Sequence, residues 1–282
     1  MAAKNGGHIG PKSRARLIVS RPSRRNDREG RKSAVIHQRR APRPDGGLEW
    51  VWGRHAVEAA LANPRREQLS RLLLAPGRTL AAERAPRPET TDPQEISRQL
   101  PAGAVHQGFA LLARSLEPVA VEDIADPAEG VILMLDQVTD PQNVGTILRS
   151  AAAFGARGVV LQERHAPALS GVLAKAAAGA VDRMPVARVV NLSRALERLS
   201  DLGWRTVGLA GQADQTLDQA LDGAPTVLVL GSEGEGMRRL VAEHCDAVAS
   251  IAMAGGVESL NVSAAAAIGL YQATLSTRRR KQ

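Results

Sequence analysis

Three stretches in the C-terminal half set amides, a guanidinium, a carboxylate and glycines where apolar runs end. The first is Asp140-Pro-Gln-Asn143-Val-Gly145-Thr-Ile-Leu-Arg149. The second is Leu230-Gly231-Ser-Glu233-Gly234-Glu-Gly236, and the third runs from Ile251 through Met253 to Ser259-Leu260-Asn261. A guanidinium stays protonated at physiological pH, which makes Arg149 an awkward general base and suits it better to stabilising an anion or binding a phosphate in forked geometry; both roles stay open. Its bland reading is a surface helix arginine paired with Asp136 or Asp140. Asn143 and Arg149 are six positions apart, nearly two helical turns, and need not share a face. The second stretch lacks the Gly-Lys-Ser/Thr ending of a phosphate loop, and its glycine order is wrong for a dinucleotide fingerprint. Gly231, Gly234 and Gly236 allow close backbone approach and positive φ. Glu233 also has a bland reading, as an acid favouring a following helix N-terminus. Ser259 and Asn261 are ordinary helix-capping types. No Cys, His and carboxylate cluster has metal-ligand spacing, and no metal is expected.

The elements that must hold these residues alternate from Gly130 onward. Strands are expected at 131–135, 158–161, 186–190, 205–209, 226–230 and 248–253. Helices are expected at 143–154, 169–178, 192–199, 237–245 and 259–275. Fully apolar strands alternating with helices imply an α/β fold whose mostly parallel sheet is covered on both faces. Ligands on such sheets bind at the carboxyl ends of the strands, where all three stretches begin. Upstream, a short entry at Trp50 leads into a helix ended by Pro64, with strands at 72–74 and 105–113. Residues 79–93 read as a loop, and 95–100 as a turn or two of helix. The expected organisation is a tail over 1–47, a small α+β domain over 48–115, a linker over 116–129 and the α/β domain over 130–282.

The net charge of +8 is held by the tail, which has thirteen Lys and Arg against three Asp and Glu between Met1 and Gly47. Rich in Arg, Ser, Pro and Gly, it is read as a disordered basic arm suited to a polyanion. A solubilising extension or an organellar presequence is the alternative. No run of eighteen apolar residues exists, so no membrane span is expected, and Met1–Gly10 lacks a secretory hydrophobic stretch. The single cysteine, Cys245, suits a reducing compartment and is read as a buried apolar filler; the setting expected is cytoplasmic.

Together, in this order and spacing, the three stretches resemble the signature motifs of the SpoU (TrmH-type) family of RNA ribose 2′-O-methyltransferases. The resemblance implies a trefoil-knotted domain that binds S-adenosylmethionine, and a homodimer whose RNA site is built from two subunits. It implies that Arg149 contacts the target phosphate or ribose and assists deprotonation of the 2′-hydroxyl, and that Glu233 orients Arg149 or a ligand group. Asn143, Ser259 and Asn261 would hold the catalytic geometry. Leu230, Gly231, Gly234, Gly236, Ile251, Met253 and Leu260 would form the cofactor site. The family usually has proline where this chain has Ala252. More weakly, Gly53-Arg54-His55-Ala56-Val57 and His106-Gln107-Gly108 match a small domain resembling ribosomal protein L30e, and imply RNA contacts at Arg54, His55 and His106. Capping or core roles stay open for both histidines. Within the family a bacterial 23S rRNA guanosine methyltransferase fits best, ahead of a tRNA ribose methyltransferase. A non-catalytic RNA-binding assembly factor is a third reading.

Overall fold

The computed structural model describes residues 47–169, 171–255 and 259–280. The expected basic tail thus lies, apart from Gly47, outside the described residues. The small N-terminal part comprises β1 (Leu48–Trp52), α1 (Arg54–Ala62), β2 (Leu69–Leu74), β3 (Pro88–Thr90), α2 (Pro93–Arg98) and β4 (Phe109–Arg114). Its sheet order is β1-β4-β2-β3. After α3 (Val121–Ala125) come β5 (Val131–Leu135), α4 (Pro141–Ala153), β6 (Gly158–Gln162), α5 (Val172–Ala176) and a 3-10 turn at Ala180–Asp182. There follow β7 (Val186–Val189), α6 (Leu192–Asp201), β8 (Arg205–Leu209), α7 (Leu217–Ala220), β9 (Thr226–Leu230), α8 (Arg239–Glu243), β10 (Ala247–Ala249) and α9 (Val262–Arg280).

The second sheet has the order β10-β8-β9-β5-β6-β7, and every neighbouring pair is parallel. β5 and β9 are buried along their whole length. Leu133 and Leu228 face one core with Ala266 and Leu270 of α9, while Ile132 and Val227 face another with Leu196 and Leu199 of α6. A run of Val, Ile and Leu without polar alternation is stable only when both faces are covered, and here both are.

Several boundaries differ from expectation. The strand expected from Val105 starts at Phe109, because His106–Gly108 form a turn. Phe109 N donates to His106 O at 3.0 Å, and Gln107 and Gly108 take φ of 58° and 86°. The strand expected to reach Met253 stops at Ala249, and the helix over 237–245 shrinks to Arg239–Glu243. The helix expected over 169–178 is only Val172–Ala176. The last helix begins later, at Val262, and runs on to Arg280, so Arg278, Arg279 and Arg280 lie in its final turn, where the dipole favours cations. The span read as linker holds α3, and the span read as loop holds β3.

The two sheets are joined by a charge that the sequence gives no reason to bury. Arg66 is 1 % exposed. Its Nε donates to Asp182 Oδ1 at 2.8 Å, and Nη1 donates to Glu49 Oε1 at 3.1 Å and to Arg114 O at 2.7 Å. Asn63 Nδ2 adds a bond to Asp182 Oδ1 at 3.0 Å. Burial alone lowers an arginine pKa, but the hydrogen bonds and charges of Asp182 and Glu49 outweigh it and raise that of Arg66. A buried pair of this kind fixes relative geometry more surely than it adds net stability.

Candidate active site

The site is assembled at the carboxyl edge of the parallel sheet, from the segments that follow β5, β9 and β10. After β5, Asp140 caps α4: its carboxylate accepts from Gln142 N at 3.1 Å and Asn143 N at 3.2 Å, with Pro141 at the first helical position. That cap presents Asn143 on the first turn. After β9, the segment turns back on itself through a Ser232–Gly236 bridge. The glycines there divide the work. Gly234 and Gly236 take φ of 88° and 68°, whereas a Cβ on Gly231 would overlap Gly236 and the Met237 amide. Close approach is therefore the task of Gly231 alone, and positive φ that of the other two.

The end of this loop is anchored by Asp136, which is fully buried at the end of β5. Its carboxylate accepts from Arg238 N at 2.8 Å and Arg238 Nε at 2.8 Å, and Arg238 Nη2 reaches Gln162 Oε1 at 3.1 Å. So fixed, the loop extends Glu233 toward the start of α9. Glu233 Oε1 accepts from Asn143 Nδ2 at 3.2 Å, from Val262 N at 3.1 Å and from Asn261 Nδ2. Asn261 Nδ2 also donates to Asn143 Oδ1 at 3.1 Å. Asn261 Oδ1 accepts from Ser263 N at 2.9 Å, which makes it the cap of α9 as well. A carboxylate accepting an amide at a helix start is electrostatically well placed. Glu233 Oε2 makes no hydrogen bond among the described residues.

The other expected residues are distributed unequally. Ile251 and Leu260 are half-buried and Met253 is exposed, beside a loop in which no amide of Ile251–Gly255 donates to another backbone group among the described residues. Leu230 is 2 % exposed, and its carbonyl accepts from Asp136 N at 2.8 Å. It floors the site and offers no side chain. Ser259 is exposed and is not hydrogen-bonded to the Asn143–Glu233–Asn261 cluster. Arg149 does not join that cluster either. Glu233 does not orient it, and neither Asp136 nor Asp140 pairs with it, since those carboxylates hold Arg238 and the α4 cap. Arg149 is exposed and makes no hydrogen bond or ion pair among the described residues. Six residues along a helix turn through about 600°, which sets Arg149 some 120° away from Asn143.

In the small part, Arg54 pairs with Glu58 at 2.8 Å, and His55 lies 3.7 Å from the same carboxylate. His106 is tied into its own turn: Gly108 N donates to Nδ1 at 3.0 Å, and Nε2 lies 3.0 Å from Ser97 Oγ. It acts as a turn lock. Asp136 and Arg238 carry the placement of the Glu233 loop and Arg66–Asp182 the join to the small sheet, yet only Asp136 left a trace in the sequence, as a lone acid closing an apolar run.

Residues 130–271 match the SpoU rRNA Methylase family, and residues 50–119 match the RNA 2′-O ribose methyltransferase substrate-binding family. The chain is 37% identical over 271 residues to an uncharacterized tRNA/rRNA methyltransferase of Mycolicibacterium smegmatis, covering 89% of this chain and 84% of that one. It is 40% identical over 245 residues to the 23S rRNA (guanosine-2′-O-)-methyltransferase RlmB of Pseudomonas aeruginosa, covering 79% and 95%. Among solved structures, an rRNA methyltransferase from Sinorhizobium meliloti superposes with a TM-score of 0.68 at 26% identity, covering 84% of this chain and 89% of that one. The chain belongs to the SpoU rRNA methylase family of RNA 2′-O-ribose methyltransferases, which take the transferred methyl group from S-adenosylmethionine.

Proposed function

We propose that this chain methylates the ribose 2′-hydroxyl of a guanosine in 23S rRNA. The observation that carries the chemistry is the convergence of Asn143, Glu233 and Asn261, from the start of α4, the loop after β9 and the start of α9, on one edge of the sheet. The choice of 23S rRNA rests on the 40% identity to RlmB, which extends over 95% of that protein. Included in the proposal are a trefoil knot in the C-terminal segment, an L30e-like form for the small domain and a cytoplasmic setting. Among the described residues, no helix is long and apolar enough to cross a membrane.

The residues fit the methyl donor. Ile251, Met253 and Leu260 offer an apolar seat, and the open amides of Ile251–Gly255 offer donors to an adenine edge. Gly234 and Gly236, with nothing within 4 Å of a Cβ position, leave the backbone accessible to a flat ring. S-adenosylmethionine supplies an electrophilic methyl on a sulfonium whose departure as a neutral sulfide needs no acid. The chain must then align the ribose oxygen, and positioning of this kind is worth roughly 7–11 kcal/mol. Asn143, Glu233 and Asn261 hold the two helix starts and the loop after β9 in register. Arg149 binds the phosphate beside the target ribose and stabilises the developing 2′-oxyanion as the hydroxyl proton passes to solvent.

Because Arg149 lies on a different side of α4 from Asn143, the proposal places it in a site completed by a second copy of the chain. The homodimer this requires is supported by Ile268 and Tyr271, 40 % and 53 % exposed on α9, the helix that packs on α4. A labelled-methyl transfer assay offering unmodified 23S rRNA, 16S rRNA and tRNA separately, with the modified nucleotide mapped, tests the reading. Label in 23S rRNA is expected. Label confined to tRNA overturns the substrate, and no label with intact S-adenosylmethionine binding favours a non-catalytic assembly factor.

A further inference from the structure

We propose that Lys175 is a phosphate-binding residue for the substrate RNA, contributed by the catalytic domain at its seam with the small domain. The inference rests on RNA being the substrate, and not on which RNA.

Three contacts lay residues 171–179 along the entry to α1. A Cβ on Gly171 would stand 3.5 Å from the Trp52 ring, and one on Gly53 would stand 2.9 Å from the Lys175 ammonium. A Cβ on Gly179 would stand 2.8 Å from both His55 O and Ala59 Cβ. Any side chain at 53 would therefore displace the ammonium from the seam. Lys175 is half-buried, yet it makes no hydrogen bond or ion pair among the described residues. The carboxylates of the neighbouring elements are engaged elsewhere: Glu58 of α1 by Arg54 and His55, and Asp182 of the 3-10 turn by Arg66 and Asn63. A lysine usually carries its ammonium out to water on its long stem. One held half-buried against a backbone, without a counter-charge, is poised for an anion.

The other side of α5 explains which anion. Gly145 of α4 presses on this helix: a Cβ there would lie 2.6 Å from Leu173 O and 2.7 Å from Ala176 Cβ. Arg149 follows Gly145 by one turn on the same face. Two cations without a partner among the described residues, Arg149 and Lys175, thus stand on helices whose separation a glycine contact fixes, and Arg54 lies just past the seam. That arrangement suits a strand of phosphodiesters running from the reacting ribose toward the small domain. A lysine, as a point charge, suits one phosphate of that strand.

The test compares wild type, Lys175→Met and Lys175→Arg in binding to 23S rRNA over a series of KCl concentrations. Methionine keeps the aliphatic stem, so folding and S-adenosylmethionine binding serve as controls. The expected result is a loss of affinity of roughly three- to tenfold for Lys175→Met. The slope of log K against log salt should shrink by about 0.7–0.9, the contribution of one phosphate. Lys175→Arg restores the slope. On whichever RNA the wild type methylates, KM rises for Lys175→Met while kcat stays within about twofold. An unchanged slope overturns the inference even where wild-type methylation of 23S rRNA upholds the substrate reading. Conversely, a reduced slope with methylation of tRNA alone keeps Lys175 and discards that substrate.

Discussion

Asn261 Nδ2 donates both to Asn143 Oδ1, at 3.1 Å, and to Glu233 Oε1, although 118 residues separate the two asparagines. Glu233 takes a third bond from Val262 N at 3.1 Å. One carboxylate oxygen therefore ties together the start of α4, the loop after β9 and the start of α9.

Replacing Glu233 by Ala removes the common acceptor. Water satisfies the Asn143 and Asn261 amides, whereas the Val262 amide is partly buried, so the stability cost is about 1–2 kcal/mol. Loss of alignment at the reacting atoms costs much more, roughly 10²-fold in methyl transfer. Glu233→Gln keeps an oxygen acceptor and should retain more activity than Ala. Denaturant titration and single-turnover rates on the same preparations check both. Full activity in Glu233→Ala would reduce the cluster to a structural staple.

Among the described residues, Arg149 has no partner to lose. Its replacement by Ala should leave the unfolding free energy within about 0.5 kcal/mol of wild type, as for other free surface positions. Methyl transfer should fall by about 10²–10³-fold, the usual cost of a removed preorganised electrostatic donor. A comparable drop in stability would mean that Arg149 supports the fold, and the catalytic assignment would fail.

Gly145 offers a prediction of opposite sign to helix propensity. In a helix interior Ala is ordinarily better than Gly by about 1 kcal/mol. Here the added methyl meets the Leu173 carbonyl at 2.6 Å and the Ala176 methyl at 2.7 Å. Gly145→Ala should therefore destabilise by about 1–3 kcal/mol through overpacking, measured as a lower urea midpoint. Stabilisation would show that α5 moves aside freely, and would remove the fixed spacing between Arg149 and Lys175.

Cys245 is expected to be inert. Burial first, and the charge of Asp246 second, push its thiol from 9.0 up to about 12. At pH 8 the folded protein then holds about a thousandfold less thiolate than the unfolded chain, so iodoacetamide should label it quickly only in denaturant. The sign for stability follows. The native state keeps a proton that the unfolded chain releases, so this group costs stability as pH climbs above about 9. Rapid labelling of the native protein at pH 8 would contradict the burial.

The parallel sheet was legible because β5 and β9 are unbroken apolar runs, and only burial on both faces accommodates such strands. The cluster residues were legible as types at strand ends. Their partners were not: Asn143, Glu233 and Asn261 meet only because Asp140 caps one helix and Arg238 is pinned by a buried acid. Gly145 was visible as part of a motif, but its task is to admit a neighbouring helix, which spacing along one chain cannot reveal. Val105–His106 read as strand because they lead into the apolar run Phe109–Ala113, yet the left-handed Gln107 breaks the pairing. Arg66 was invisible for a simple reason. An arginine in sequence reads as surface, and its burial depends on Asp182, 116 residues away.

That pairing constrains how such enzymes can be recombined. Grafting this small domain onto a catalytic domain without an acid at the place of Asp182 would leave a guanidinium sealed at the junction with one of its two counter-ions gone. Breaking a buried pair in this way costs about 3–5 kcal/mol, enough to compromise an ordinary domain. Substrate preference is therefore not a detachable cartridge: a working chimera has to exchange residues 66 and 182 together.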